Sequence, residues 1–152
     1  MGTVEQRLAG LGLTVPPVAA PVADYVPAIR TGAYVHTSGQ LPLVDGQLTV
    51  TGTVGADVSL DEAAAAARQC ALNAVAAVAS QVDLDDVVRV VKVVVFVASD
   101  VSFTDQAKVA NGASELIGQA FGEAGRHARS AVGVAVLPLG SPVEVEIVVE
   151  VS

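Results

Sequence analysis

Arg129, Glu144 and Glu146 are the residues whose types and surroundings most clearly suggest chemistry. Arg129 begins an apolar segment, and no Asp or Glu lies between Glu123 and Glu144 to neutralise its guanidinium locally. A guanidinium among valines needs an anionic partner, and its planar fork of N–H donors matches a carboxylate. Arg129 is therefore the first candidate for binding a substrate carboxylate. A salt bridge to Glu144 or Glu146 on an adjacent strand is the structural alternative.

Glu144 and Glu146 are two residues apart, and valine or isoleucine occupies the positions on either side of each. A β-strand here would place both carboxylates on one face and the apolar side chains on the other. A carboxylate beside a partly buried cleft could position a water molecule or transfer a proton, at a pKa matched by burial. An ordinary solvent-exposed polar face explains the same pattern.

Ser38 and Gly39 sit at the end of a predicted strand, where a hydroxyl and a backbone N–H could contact a small ligand. Turn formation explains both residues equally well. His36 and His127 are the two histidines, and their spacing matches no metal-binding motif. The sequence also contains no GxSxG, Walker or GxGxxG motif. We therefore predict neither a metal nor a cofactor.

Sequence patterns also predict the elements that must position these residues. Thr3 with Gln6, and Ser59 with Glu62, resemble capping boxes that each open a helix. The predicted elements, in chain order, are a short helix at 3–11, a hairpin at 26–30 and 33–38, a short strand at 48–51, a long helix at 60–82, a strand at 87–97, a third helix at 103–121, and two strands at 129–136 and 143–151. Gly112 weakens the prediction of the third helix.

This order of elements implies a two-layer α+β domain, with the two main helices on one face of the sheet. The opposite face is rich in valine and would be exposed in a monomer. Hydrophobic residues make up 52% of the 152 positions, which leaves more apolar surface than one small chain can bury. We therefore expect a homo-oligomer that associates through the sheet.

Charge and local composition disfavour several classes of function. Sixteen acidic and eight basic residues give a net charge of -8, which disfavours nucleic-acid binding. Residues 1–10 lack the features of a signal peptide, and the apolar segments 63–82 and 87–97 are too polar or too short to span a bilayer. Cys70 is the single cysteine, so no internal disulfide can form. We expect a cytoplasmic protein that does not enter membranes.

Five groups of residues occur in an order that is typical of a known family: Tyr25, Ser38-Gly39-Gln40, Asn111, His127-Ala128-Arg129-Ser130 and Val143-Glu144-Val145-Glu146. On these residues the chain resembles the reactive-intermediate deaminase family, also called the Rid or YjgF-like family. The resemblance covers about residues 20–152, and the C-terminal run is its most specific part. It divides the chain into an N-terminal extension with a short helix at 1–19 and a single Rid-like domain at 20–152.

The resemblance implies a fold, an assembly and an activity. The fold is the chorismate-mutase-like α+β fold, with a mixed sheet and two main helices on one face. The assembly is a homotrimer whose sheets form an inner barrel, with active-site clefts between subunits. The activity is hydrolysis of enamine or imine intermediates, of the 2-aminoacrylate or 2-iminobutanoate type, to 2-oxo acids and ammonia without a cofactor.

The resemblance also implies roles for individual residues. Arg129 matches the arginine that clamps the substrate carboxylate, and Glu144 matches the glutamate that positions the attacking water. The residues that match substrate-binding positions are Tyr25, Ser38, Gly39 and Asn111. Because an imine carbon is already electrophilic, a positioned water beside a clamped substrate could suffice for the reaction.

Three features depart from the family pattern and resemble a divergent subgroup. His127 stands where the deaminating branch usually has proline, which relaxes the backbone leading to Arg129. The spacing from Asn111 to Arg129 is one residue longer than typical, and the chain has the N-terminal extension. An alternative function is a carboxylate-binding or chaperone-like trimer that uses the same cleft without turnover. Ribonuclease activity, attached to some family members, ranks last because of the net charge of -8.

Overall fold

The protein contains a five-stranded mixed sheet. Its computed structural model describes residues 1–21 and 23–152. The strands are β1 (Ala28–Thr31), β2 (Tyr34–Thr37), β3 (Leu43–Val44), β4 (Gln47–Leu48), β5 (Val87–Ala98), β6 (Ala128–Val134) and β7 (Val143–Val151). The main sheet has the order β1-β2-β7-β5-β6, and β3 and β4 form a separate hairpin. β5 pairs with β7 in antiparallel and with β6 in parallel orientation, so it is an internal strand of the sheet.

Three helices complete the fold: α1 (Thr3–Gly10), α2 (Leu60–Ala79) and α3 (Gln106–Phe121). The sheet face beneath α2 and α3 includes alternate residues of β7, from Val143 to Val151, and all five are buried. The Ser59 hydroxyl accepts a hydrogen bond from the Glu62 N–H, and the Glu62 carboxylate accepts one from the Ser59 N–H. This capping box and the predicted two-layer α+β architecture are therefore confirmed.

α3 differs from its prediction at its start and at its glycine. It begins three residues later than predicted, after a turn in which the Asp100 carboxylate accepts from the N–H and hydroxyl of Ser102. A Cβ at Gly112 would overlap the carbonyl oxygen of Ala64 in α2. Gly112 therefore lets the two helices pack closely, and this packing outweighs the low helix propensity of glycine.

α1 is capped by residues other than those predicted. Gly2 precedes the helix, and its N–H donates to the Glu5 carboxylate at 3.1 Å. The Asp85 carboxylate accepts from the N–H groups of Thr3 and Val4, at 2.8 and 3.0 Å. The predicted capping box of Thr3 with Gln6 is wrong because this distant carboxylate takes its place. α1 packs against α3 and buries Leu8 completely, while the domain boundary at residue 20 stays a prediction.

The hairpins are shorter than their patterns predict. β1 and β2 pair from Ala28 with Thr37 to Thr31 with Tyr34, so the turn consists of residues 32 and 33. The predicted turn at residues 31 and 32 is therefore displaced by one position. The strand predicted at 48–51 is reduced to the two residues of β4, which pair with β3. β3 and β4 therefore stay outside the main sheet.

The second face of the main sheet is partly exposed. It carries Glu144, Glu146 and Val148 of β7, which are half-buried, and Val132 of β6, which is 44% exposed. Phe96 of β5 pairs in register with both Glu144 and Val132 and so lies on this same face. Within the described residues, no helix is long and apolar enough to cross a membrane.

Candidate functional site

The sheet places Arg129 and Glu144 on opposite faces of one chain. Arg129 pairs in register with Val93 of β5, which in turn pairs with Ile147, and both of these side chains are buried beneath the helices. Glu144 pairs with Phe96 on the partly exposed face. β6 and β7 are also separated by β5, so the salt bridge considered between Arg129 and Glu144 or Glu146 is wrong.

Arg129 is held over α3 by three oxygen acceptors that carry no formal charge. Its Nη1 donates to Asn111 Oδ1 at 2.8 Å and to Ser114 Oγ at 3.1 Å, and its Nη2 donates to the Ala107 carbonyl at 3.3 Å. Within residues 1–21 and 23–152, no acidic side chain lies within salt-bridge distance of it. The guanidinium is therefore fixed in position while its charge remains uncompensated.

Two of the five N–H donors of this guanidinium lack an acceptor among the described residues. Two N–H groups of one guanidinium can bind both oxygens of a carboxylate, which adds fixed geometry to the charge attraction. Asn111 and Arg129, predicted as parts of one site, are thus in direct contact. We call Arg129, Asn111 and Ser114 the arginine half-site.

His127 extends this network behind Ser114. Its Nε2 lies 2.9 Å from Ser114 Oγ, and its Nδ1 lies 2.7 Å from the carbonyl oxygen of Gly125. The imidazole is half-buried at the entry to β6, two residues before Arg129. Both ring nitrogens therefore have partners within the protein.

Glu144 lies in a cleft on the other side of the molecule. The cleft has a volume of about 60 Å³, and Glu144 lines it together with Gly39, Tyr25, Pro138 and the apolar residues around them. A Cβ at Gly39 would lie 2.6 Å from Glu144 Cδ, so a side chain at this position would displace the carboxylate. We call Glu144, Gly39 and Tyr25 the glutamate half-site.

Backbone pairing holds the glutamate half-site together. Gln40 and Val145 exchange N–H···O hydrogen bonds at 2.7 and 3.0 Å, which sets the chain after β2 alongside β7. Partial burial raises the pKa of Glu144 above the usual glutamate range, and the charge of Glu146 on the same face raises it further. A carboxylate with a raised pKa accepts a proton more readily and is suited to a general base.

Ser38 borders this half-site, and its hydroxyl proton is already engaged. Ser38 Oγ donates to the Val26 carbonyl at 2.6 Å, and the residue lies with Tyr25 in a shallow depression beside the cleft. Its hydroxyl therefore secures the segment before β1. Within the described residues, no group of three or more His, Cys, Asp or Glu side chains could hold a metal ion.

Known proteins that resemble this chain identify its family. The model of a family described as "YjgF/chorismate mutase-like, putative endoribonuclease" matches residues 5–151. The chain belongs to this family. It is 50% identical to Protein TCP17 of Trypanosoma cruzi, over 99% of this chain and 96% of that protein.

Solved structures support the membership. The crystal structure of Atu1372 from Agrobacterium tumefaciens, a protein of unknown function, is 45% identical and superposes with a TM-score of 0.91 over 99% of this chain and 93% of that one. E. coli TdcF, solved with bound serine, is 25% identical with a TM-score of 0.64, over 89% of this chain and 94% of that one. The chorismate-mutase-like fold is thus shown for this YjgF-like chain.

Two residues of this YjgF-like protein lie in the half-sites and were missed from the sequence. Ser114 lies three positions after Asn111, and this spacing puts both on one face of α3, which was the available signal. Pro138 reaches the glutamate half-site from the turn between β6 and β7, and no local pattern indicates that contact. The two half-sites are separate within one chain.

Proposed function

We propose that this YjgF-like protein hydrolyses small 2-imino acids, and the enamines that form them, to 2-oxo acids and ammonia. The observation that supports this most is Arg129, which is held by neutral acceptors and keeps two N–H donors available. Positioning a guanidinium without an internal counter-ion leaves its charge for a ligand. A small carboxylate is the ligand that matches this donor geometry.

The active protein in this proposal is a homotrimer. Each chain carries an arginine half-site on the edge strand β6 and a glutamate half-site on the second sheet face, and in this proposal the β6 edge of one subunit lies against the second sheet face of its neighbour. The same association would bury Val132 and Val148, and apolar surface of this kind favours assembly. Cys70 is a free, buried thiol, which suits a reducing cytoplasmic setting.

The proposed reaction needs no covalent intermediate with the protein. Arg129 binds the carboxylate of the imine, and Asn111 helps to fix the guanidinium. Glu144 of a neighbouring subunit accepts a proton from water as the water oxygen forms a bond to the imine carbon. The same carboxyl group returns that proton to the nitrogen, which gives a carbinolamine. It then takes the hydroxyl proton and passes it to the nitrogen as the C=O bond forms and the C–N bond breaks, so that ammonia and a 2-oxo acid leave.

Relatives give independent support for a small carboxylate ligand. E. coli TdcF was crystallised with bound serine, a small molecule that carries both a carboxylate and an amino group. The 2-imino acid derived from an amino acid has the same carboxylate and a nitrogen on the same carbon. The serine bound to this relative therefore supports an amino-acid-derived substrate for this chain.

The family description also names endoribonuclease activity. Binding RNA requires cationic surface that replaces the counter-ions of the phosphates, and this chain has a net charge of -8. The imine deaminase therefore fits the electrostatics better. Incubation with single-stranded RNA at physiological salt should leave the RNA intact.

A coupled assay tests the proposed deaminase. A pyridoxal-phosphate lyase would generate 2-iminobutanoate in the presence of the protein, and formation of the 2-oxo acid would be followed. Arg129→Ala should lower kcat/KM about 100-fold, because a charged hydrogen-bond pair to the substrate is lost. Arg126→Ala is the matched control, since its side chain is 82% exposed and its ion pair with Glu123 is on the surface. Equal rates for wild type and Arg129→Ala would exclude the proposed role of this arginine.

A further inference from the structure

His127 has no part in the chemistry proposed above, yet both of its ring nitrogens are hydrogen-bonded. A carbonyl oxygen can only accept, so Nδ1 must donate to Gly125. The neutral imidazole then has an unprotonated Nε2, which can only accept. Its partner at 2.9 Å is Ser114 Oγ, and the Ser114 hydroxyl must therefore donate its proton to Nε2.

This hydrogen bond decides how the Ser114 hydroxyl is oriented beside Arg129. A serine within a helix commonly donates its hydroxyl proton to the carbonyl four residues earlier, which for Ser114 is Ala110. Donation to His127 replaces that bond. It leaves the lone pairs of Ser114 Oγ to accept from Arg129 Nη1, which is 3.1 Å away.

We propose that His127 is a positioning residue that orients the Ser114 hydroxyl and thereby fixes the guanidinium of Arg129. The chain of hydrogen bonds runs from Gly125 through His127 and Ser114 to Arg129, and it ties the start of β6 to α3. The carbonyl that fixes the imidazole lies only two residues before it. The arginine half-site thus has its own internal support.

Two substitutions of His127 distinguish the acceptor at Nε2, which faces Ser114, from the donor at Nδ1, which faces Gly125. The amide of glutamine can place an oxygen near the position of Nε2, so His127→Gln should keep the acceptor for Ser114. The shorter asparagine can reproduce the donor to Gly125 and cannot reach Ser114, so His127→Asn should lose the acceptor. Ser80→Ala is a control, since Ser80 is a helix-end serine whose hydroxyl donates to the Ala77 carbonyl.

The first readout is independent of any substrate. Rotation of the Arg129 guanidinium about its Cζ bonds can be followed by 15N NMR, with the Arg129 signal assigned by its loss in Arg129→Lys. We expect rotation at least about threefold faster in His127→Asn and within about twofold of wild type in His127→Gln and Ser80→Ala. Thermal unfolding of each variant would show that all of them remain folded.

The second readout rests on the proposed function. A clamp that holds the carboxylate equally in the ground and transition states affects KM, so His127→Asn should raise KM roughly three- to tenfold with little change in kcat. Unchanged guanidinium rotation in His127→Asn would overturn the inference, and so would equal acceleration in both His127 variants. A wild type with no deaminase activity and the predicted rotation rates would overturn the proposed function alone.

Discussion

At the scale of single residues, the proposed site depends on two charges in unusual surroundings. Arg129 carries a charge without a counter-ion among the described residues, and Glu144 has a pKa raised by burial and by Glu146. The first feature is visible in the sequence, because no acidic residue lies between Glu123 and Glu144. The second is not, because most of the residues that line the cleft around Glu144 lie more than 100 residues earlier in the chain.

Replacing Glu144 should separate stability from activity. A raised pKa in the folded protein means that ionised Glu144 disfavours folding, so wild type loses stability as pH rises through that pKa. Glu144→Gln should therefore raise Tm by at most about a few degrees at neutral pH. The difference should shrink in acid, below the ordinary glutamate pKa, where the carboxyl group is protonated in both states.

The same substitution should lower kcat of the proposed deaminase by about 100-fold or more, because the general base is lost. Thermal unfolding across pH and the coupled assay measure the two effects on one preparation. Glu150→Gln, on the same face of β7, serves as the control. A Glu144→Gln protein with full activity would remove this residue from the proposed reaction.

At the scale of elements, the sequence predicts the features that depend on neighbouring residues and does not predict those that depend on distant contacts. Ser59 and Glu62 cap α2 as predicted, because every group involved lies within one helical turn. The sequence predicts the wrong cap for α1, because the carboxylate that caps this helix belongs to Asp85, 82 residues from Thr3. Gly112 appeared as a weakness of α3 because the neighbouring helix cannot be seen in the sequence.

Two glycines of α3 should respond to alanine in opposite ways. Gly112→Ala would place a methyl group onto the Ala64 carbonyl, and we expect a loss of about 1–3 kcal/mol in the free energy of unfolding. Gly118 is exposed and has no atom within 4 Å of a Cβ built there. Gly118→Ala should therefore gain up to about 1 kcal/mol from helix propensity. Denaturant unfolding of both variants checks the pair, and similar effects would contradict the close packing of α2 and α3.

The cap of α1 should depend on pH. Hydrogen bonds from the Thr3 and Val4 N–H groups lower the pKa of Asp85. The stabilisation is present above the ordinary aspartate pKa and is lost as pH falls through the lowered value. Asp85→Ala should make the amides of α1 exchange several-fold faster at neutral pH, and the difference from wild type should narrow in acid.

Hydrogen exchange measured by mass spectrometry on peptides from residues 3–10 reports this effect. Asp86→Ala changes a neighbouring exposed carboxylate in the same turn and should leave α1 unaffected. Equal exchange in Asp85→Ala and wild type at neutral pH would mean that another contact holds the helix.

At the scale of the whole molecule, the account depends on how chains meet. Composition and the valine-rich strands predict an apolar sheet face that one chain leaves partly exposed, as the structure shows for Val132. The order of strands could not be predicted from local patterns, because β6 joins the sheet beside β5 and not beside β7. This order puts Arg129 and Glu144 on opposite faces, which is why we infer that different subunits combine them.

Subunit complementation is the measurement that tests this central claim most directly. Arg129→Ala and Glu144→Gln chains, each inactive alone, would be mixed, unfolded together and refolded. With random assembly, one subunit supplies an intact arginine half-site and its neighbour an intact glutamate half-site at roughly a quarter of the clefts. We therefore predict recovery of about a quarter of the wild-type rate in the coupled assay. A mixture that native mass spectrometry shows to contain hybrid trimers and that stays inactive would contradict a site shared between subunits.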